Sequence, residues 1–364
     1  MSSGPLADWR LAERLAWVVG GSGLPAVSAA EAGALRADLE ITVARADPVA
    51  RAVTGLGADL PPASARVVGR RRWIADNLAA IAALTDPVAD DLVRTSGLAR
   101  AVARRGVAVQ VGVVFGYLST KVLGQYEVFH PSALADDSEP GRITLVGPNL
   151  VELERTVLPG SGVAPSQVRM GLCLHELAHR LQFEAVPWLR PRLRGILDAY
   201  LADARLEPEQ VRRAASRARE LLANPRELEL QAVLDAVLTP RQRGLFDEAQ
   251  TLMSLLEGHG NVVMDWGAEQ LAADPHAPAF DPSTVRGLLN RRRASTSDSV
   301  LRKALGLQLK AAQYREGERF IFAVADAHGR SAFNRVWQEP TFVPTAEELG
   351  KPDTWVARVE AAAG

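Results

Sequence analysis

Apolar positions recur with a helical period along most of this chain, and that pattern predicts a mainly α protein. Asp8 caps a first helix that runs to about Val19, where Gly20-Gly21-Ser22-Gly23 stops it. Ser28 opens a second helix, with Glu31 completing a capping box, and the spacing carries it to about Ala46. Shorter helical segments are predicted at Asp47–Gly55, Arg71–Leu84 and Pro87–Thr95, with a Pro-rich connection at Gly57–Ser64, before a long helix from about Leu98 to Leu123.

The period changes after Gly124. Tyr126–Phe129 and the β-branched run Arg142–Val146, joined by the acidic loop His130–Pro140, predict a small β-hairpin. A helix follows from near Pro165, with Ser166 as a cap residue, and ends before Pro187. Pro191–Pro240 reads as two surface helices, and Asp247 to about Gln270 as an apolar one. Asp298–Arg315, Glu318–Val324 and Arg330–Trp337 are helical again, and Thr345 with Glu348 caps a final short pair. No linker interrupts this order, so the expectation is one α+β domain over residues 1–364, mainly α with a small hairpin. Its parts are an N-terminal helical region (1–125), the hairpin and following helix (126–186), the apolar helix (about 247–270) and C-terminal helices (298–361).

Composition adds exclusions. With 364 residues, 47% hydrophobic and 23% charged, the chain is ordinary globular material, and a net charge of −1 supplies no electrostatic footprint for nucleic acid. The clusters Arg70-Arg71-Arg72 and Arg291-Arg292-Arg293 suit solvated helix ends. Charges at Asp8, Arg10, Glu13 and Arg14 break up the leading residues, which argues for a cytoplasmic protein. The most apolar run, Val107–Gly124, contains Gln110, Ser119, Thr120 and Lys121, so a buried helix is expected there and no membrane span. The single cysteine, Cys173, excludes an internal disulfide and is expected to be a packed core thiol.

The candidate chemistry lies in Leu174-His175-Glu176-Leu177-Ala178-His179-Arg180. Residues four apart on a helix are offset by about 40°, so His175 and His179 present both imidazoles on one side as a clamp for a divalent metal. Zn2+ suits neutral imidazole, and a catalytic zinc keeps a position for water whose pKa falls to about 7. Glu176 lies about 100° around from His175 and reaches that water as general base. A catalytic zinc needs a third protein ligand, and the apolar helix offers Glu257 and His259. These stand about 200° apart on an intact helix, so both bind one ion only if Gly258 and Gly260 break it. Glu257 is preferred, with Asn261 on its face as a hydrogen-bonding partner for a ligand imidazole. The acidic and imidazole groups in so apolar a helix need partners, and the metal is the expected one.

Several segments together resemble the gluzincin-like metallopeptidases and hydrolases of actinobacteria, some of them associated with deazaflavin-cofactor biosynthesis. They are Val122–Tyr126, Gly147-Pro148-Asn149, Cys173–Arg180 with Gln182-Phe183 and Val186-Pro187-Trp188, Met253–His259 with Val262–Asp265, and Phe333-Asn334 with Trp337. The resemblance implies a zincin-like fold in which the metal helix packs on a second ligand-bearing helix. It implies His175, His179 and Glu257 on zinc, with Glu176 as base. It further implies an edge strand above the metal helix, here Arg142–Val146, on which a peptide pairs in extended form. His259, Tyr126 and Tyr314 are candidate oxyanion donors, of which His259 is retained as a catalytic residue. Arg180 stands where broader zincin patterns place an uncharged residue, which opens the option of an acidic substrate. The resulting expectation is a zinc metallopeptidase acting on a peptide or small molecule. Its alternative is a zincin-like scaffold that binds zinc or a partner without turnover, which would need the ligands but not Glu176.

Overall fold

In the computed structural model, residues 4–92, 97–136, 139–203, 239–273, 281–293 and 310–363 are described, the side chains of 290–293, 310–315 and 363 excepted. The second of the two helices expected across Pro191–Pro240 lies outside them, as do the Asp298 cap and the start of its helix.

Helix α1 (Trp9–Gly20) begins where the Asp8 carboxylate accepts from Leu11 N–H, and α2 (Ala29–Thr54) begins at the reciprocal Ser28–Glu31 capping box. Helix α2 continues through Pro48 and joins what the sequence divides at Ala46; it ends at Gly55, in the left-handed conformation. The short strand β1 (Ala65–Val68) has no counterpart among the sequence expectations. Helices α3 (Arg70–Thr85), α4 (Ala89–Leu92) and α5 (Gly97–Ser119) follow. Helix α5 lies along α1, and its Gly112 and Gly116 admit the α1 backbone: a Cβ at either would fall 2.7 or 2.6 Å from the carbonyls of Ala12 and Ala16. Its other side exposes Leu98, Val102 and Val109, so the expectation of a buried helix holds for one face only. By length and composition, α5 is the one described helix apolar enough to cross a membrane.

The hairpin forms from β2 (Gly124–Glu127) and β3 (Arg142–Val146), with the short α6 (Pro131–Ala135) between them. Because β1 pairs parallel to β3 while β2 pairs antiparallel to it, the sheet order is β1-β3-β2 and β3 is the central strand. That corrects the expected edge. Both sides of β3 are occupied, and the edges among the described residues are β1 and β2.

Helices α7 (Gly147–Thr156), α8 (Pro165–Ala185) and α9 (Leu189–Asp203) come next. At the start of α8 the N–H of Ala164 donates to the Gln167 side chain at 2.9 Å, so Ser166 is not the cap. Helix α10 (Pro240–Ala272) starts at a Thr239–Gln242 capping box and runs unbroken through Gly258 and Gly260. The remaining described α-helices are α11 (Pro282–Arg293), α12 (Lys310–His328), α13 (Arg330–Phe333), α14 (Ala346–Leu349) and α15 (Pro352–Ala363). The main core joins Leu39 and Val43 of α2, Leu145 of β3, Leu174, Leu177 and Leu181 of α8, Leu255, Val262 and Val263 of α10 and Phe320 of α12. A second core joins α1, α3 and α5 around Trp73 and Ile74.

Candidate metal centre

Helix α8 crosses the interior, with Leu174, Leu177, Ala178 and Leu181 fully buried in the main core, and the two histidines emerge on its remaining side. His175 and His179 turn their Nε2 atoms to one another at 3.2 Å. Helix α10 brings Glu257 to the same point, with carboxylate oxygens 3.6 Å from His175 Nε2 and 3.9 Å from His179 Nε2. One atom from each of the three residues lies within 4.8 Å of the others, each half-buried.

This donor set fits a metal ion. Bonds of about 2.0–2.2 Å in tetrahedral array separate neighbouring ligand atoms by roughly 3.3–3.6 Å, close to the spacing here. Two imidazoles and one carboxylate, with no thiolate, form the three-ligand arrangement of catalytic rather than structural zinc sites.

Each element is held close by glycine. A Cβ on Gly260 would fall 2.7 Å from His175 Nδ1, and one on Gly124, at the start of β2, 2.6 Å from Glu176 Oε1. Gly258 and Gly317 do the same between α10 and α12, where a Cβ on Gly317 would fall 2.0 Å from the Ser254 carbonyl. The glycines that could have broken α10 therefore serve close approach instead, and the helix sends Glu257 and His259 in different directions.

His259 sits apart from the triad. Its ring is fully buried against Trp266, Phe333 and Trp337, and its Nδ1 lies 2.8 Å from Gln182 Nε2. Burial, with the nearby His179 and His175, pushes its pKa down to about 3, so the ring is neutral. It reaches the histidine pair through Gln182, whose Oε1 lies 2.9 Å from His179 Nδ1. Gln182 thus takes the place expected of Asn261, which instead donates to Glu318 at 3.2 Å.

The other expected participants are engaged elsewhere. The buried Tyr126 hydroxyl donates to Glu184 and accepts from Gly141 N–H, both at 3.0 Å. The side chain of Tyr314 lies outside the described residues. Arg180 is buried, donating to Glu184 at 3.0 Å and to the Pro61 carbonyl at 2.7 Å, with Asp47 at 3.5 Å. Its charge is balanced inside the protein, which removes the reason for an acidic substrate. Asp265 is paired with Arg286 at 2.5 Å and not with the metal triad. Cys173 is a buried free thiol whose pKa is raised by burial and by the Glu176 carboxylate. A cavity of about 270 Å³ has Arg180 and Glu184 in its wall, from the α8 residues that follow His179, and does not include the triad.

A crystal structure from Chloroflexus aurantiacus, of a "putative hydrolase with a novel fold", is 27% identical with a TM-score of 0.67, covering 97% of this chain and 99% of its own. No curated protein matches. The model of the zincin-like metallopeptidase family matches residues 7–356, a span that takes in α8, α10 and the three clustered side chains. The chain belongs to the zincin-like metallopeptidase family.

Proposed function

We propose that this protein is a zinc-dependent hydrolase, and specifically a metallopeptidase. The observation that carries the reading is the convergence of His175, His179 and Glu257 on one point, with Glu176 on the same helix. These three residues would hold the zinc, which when bound activates water and polarises a carbonyl. Glu176 accepts the proton of the attacking water and passes it to the leaving amine. Its carboxylate is buried and lies against Gly124, where side-chain bulk would displace it. A carboxylate base between the ligands is what a zinc scaffold without turnover would not need.

Strand β2 supports a peptide substrate. It is a sheet edge among the described residues, and it starts beside Glu176. An extended peptide adding to that edge gains main-chain hydrogen bonds and brings a carbonyl towards the carboxylate. The lone buried thiol fits a reducing, cytoplasmic setting.

The test combines metal content with substrate profiling. Protein prepared without chelator is expected to carry about one zinc per chain, and Glu257→Ala to lose it. Glu176→Gln is expected to keep zinc while losing about 10²- to 10⁴-fold in turnover on whichever member of a peptide and ester panel the wild type cleaves. Zinc-loaded wild type that cleaves none of them would overturn the enzyme reading in favour of the scaffold.

A further inference from the structure

His179 Nδ1, the ring nitrogen not turned to Glu257, faces Gln182 Oε1 at 2.9 Å. Leu256 decides which atom of the Gln182 amide points there. The amide nitrogen lies 3.1 Å from the Leu256 carbonyl, which can only accept, and a flipped amide would set two acceptors against each other. Gln182 Oε1 therefore accepts and His179 Nδ1 donates. That places the proton of neutral His179 on Nδ1 and its lone pair on Nε2, the atom facing His175 and Glu257.

The second amide hydrogen goes to His259 Nδ1 at 2.8 Å. His259 consequently carries its own proton on Nε2, inside the enclosure formed by Trp266, Phe333 and Trp337 with ring centroids 6.5, 5.5 and 5.0 Å away. A phenylalanine would fill that space about as well. Only the imidazole supplies an acceptor for the second hydrogen, where a buried amide hydrogen without one costs about 1–3 kcal/mol, and it does so although its own buried Nε2 has no hydrogen-bond partner among the described residues. With its oxygen and both hydrogens taken, the Gln182 amide cannot rotate without breaking three hydrogen bonds.

We infer that Gln182 and His259 are positioning residues that hold His179 as the Nδ1–H tautomer, with Nε2 presented to the metal. The inference rests on the metal site proposed above, and it gives His259 a role two hydrogen bonds behind the ligand rather than at the reacting carbonyl.

Two measurements on the full chain test it. Chelator competition reads zinc affinity directly. Gln182→Met is expected to weaken it about 10- to 100-fold, and His259→Phe to weaken it less. Gln182→Met binding zinc like wild type would overturn the inference. Long-range proton–nitrogen correlation spectra of metal-free wild type, labelled in its histidines and assigned with His179→Asn and His259→Phe, need neither activity nor a stable Gln182 variant. They are expected to show His179 protonated on Nδ1 and His259 on Nε2; His179 protonated on Nε2 would overturn the inference. Wild type that shows these tautomers but takes up no zinc would sink the metal reading while leaving the hydrogen-bonded support established. Zinc-binding wild type that cleaves nothing would leave the affinity series to decide as before.

Discussion

Gly260 lies directly against the imidazole of His175: a Cβ built there would fall 2.7 Å from both Nδ1 and Cε1 of the ring. Helix α10 can bring Glu257 to the two histidines only because this position has no side chain. Gly260→Ala is therefore expected to push His175 aside and weaken zinc binding, by about the 10- to 100-fold seen when ligand orientation is lost. Alanine otherwise favours a helix by about 0.8–1.0 kcal/mol over glycine, so weaker binding would not trace to a weaker helix. Chelator competition, with thermal unfolding of the metal-free variant alongside, separates the two effects.

Gly124 has the same relationship to Glu176, the proposed base. A Cβ there would fall 2.6 Å from Glu176 Oε1 and 2.9 Å from its Cγ, so Gly124→Ala has to move the carboxylate. Turnover is expected to fall by about 10²-fold, the usual scale for a misplacement of 1 Å, while zinc content stays at the wild-type level. Loss of zinc together with activity would mean that the substitution disturbs α8 as a whole.

Tyr126 is expected to matter for stability and not for turnover. Tyr126→Phe leaves Gly141 N–H without its acceptor and Glu184 without one donor, a loss of about 1–3 kcal/mol in chemical denaturation with the rate per zinc-loaded molecule unchanged. A large fall in turnover at wild-type stability would restore the hydroxyl as an oxyanion donor.

The same residue sets an alkaline limit. Burial raises the Tyr126 pKa above its ordinary value, and the Glu184 carboxylate raises it further. Its folded pKa is thus above the unfolded value of about 10, so its contribution is complete below that pH and is lost as pH climbs towards the folded pKa. Wild type is expected to lose stability more steeply than Tyr126→Phe above about pH 10, as read by denaturant midpoints across an alkaline series.

Gly317 tests the α10–α12 packing that carries Glu257. A Cβ there would fall 2.0 Å from the Ser254 carbonyl and 2.6 Å from its carbon, and backbone atoms cannot step aside as a side chain end can. Gly317→Ala is expected to destabilise by about 1–3 kcal/mol or more, with the thermal midpoint falling accordingly.

Contacts within one helical turn were legible in the sequence. The four-residue step between His175 and His179 dictates that their imidazoles share a face whatever surrounds the helix. The Asp8, Ser28 and Thr345 caps follow from local hydrogen bonds in the same way. An unbroken helix also dictates that Glu257 and His259 diverge.

Tertiary structure decided everything that joins distant segments. Which of that pair meets the histidines depends on how α10 rotates against α8, and the close approaches at Gly260 and Gly267 set that rotation. Strand β3 is central because β1, far earlier in the chain, pairs with it, and a four-residue strand carries too little periodic signal to be read alone. Arg180 loses its apparent meaning for substrate once Asp47, Pro61 and Glu184 surround it. The link from Gln182 to His259 spans 77 residues of chain. Periodicity records which face of an element is apolar, and it cannot record which buried polar groups of two different elements will be brought within 3 Å of each other.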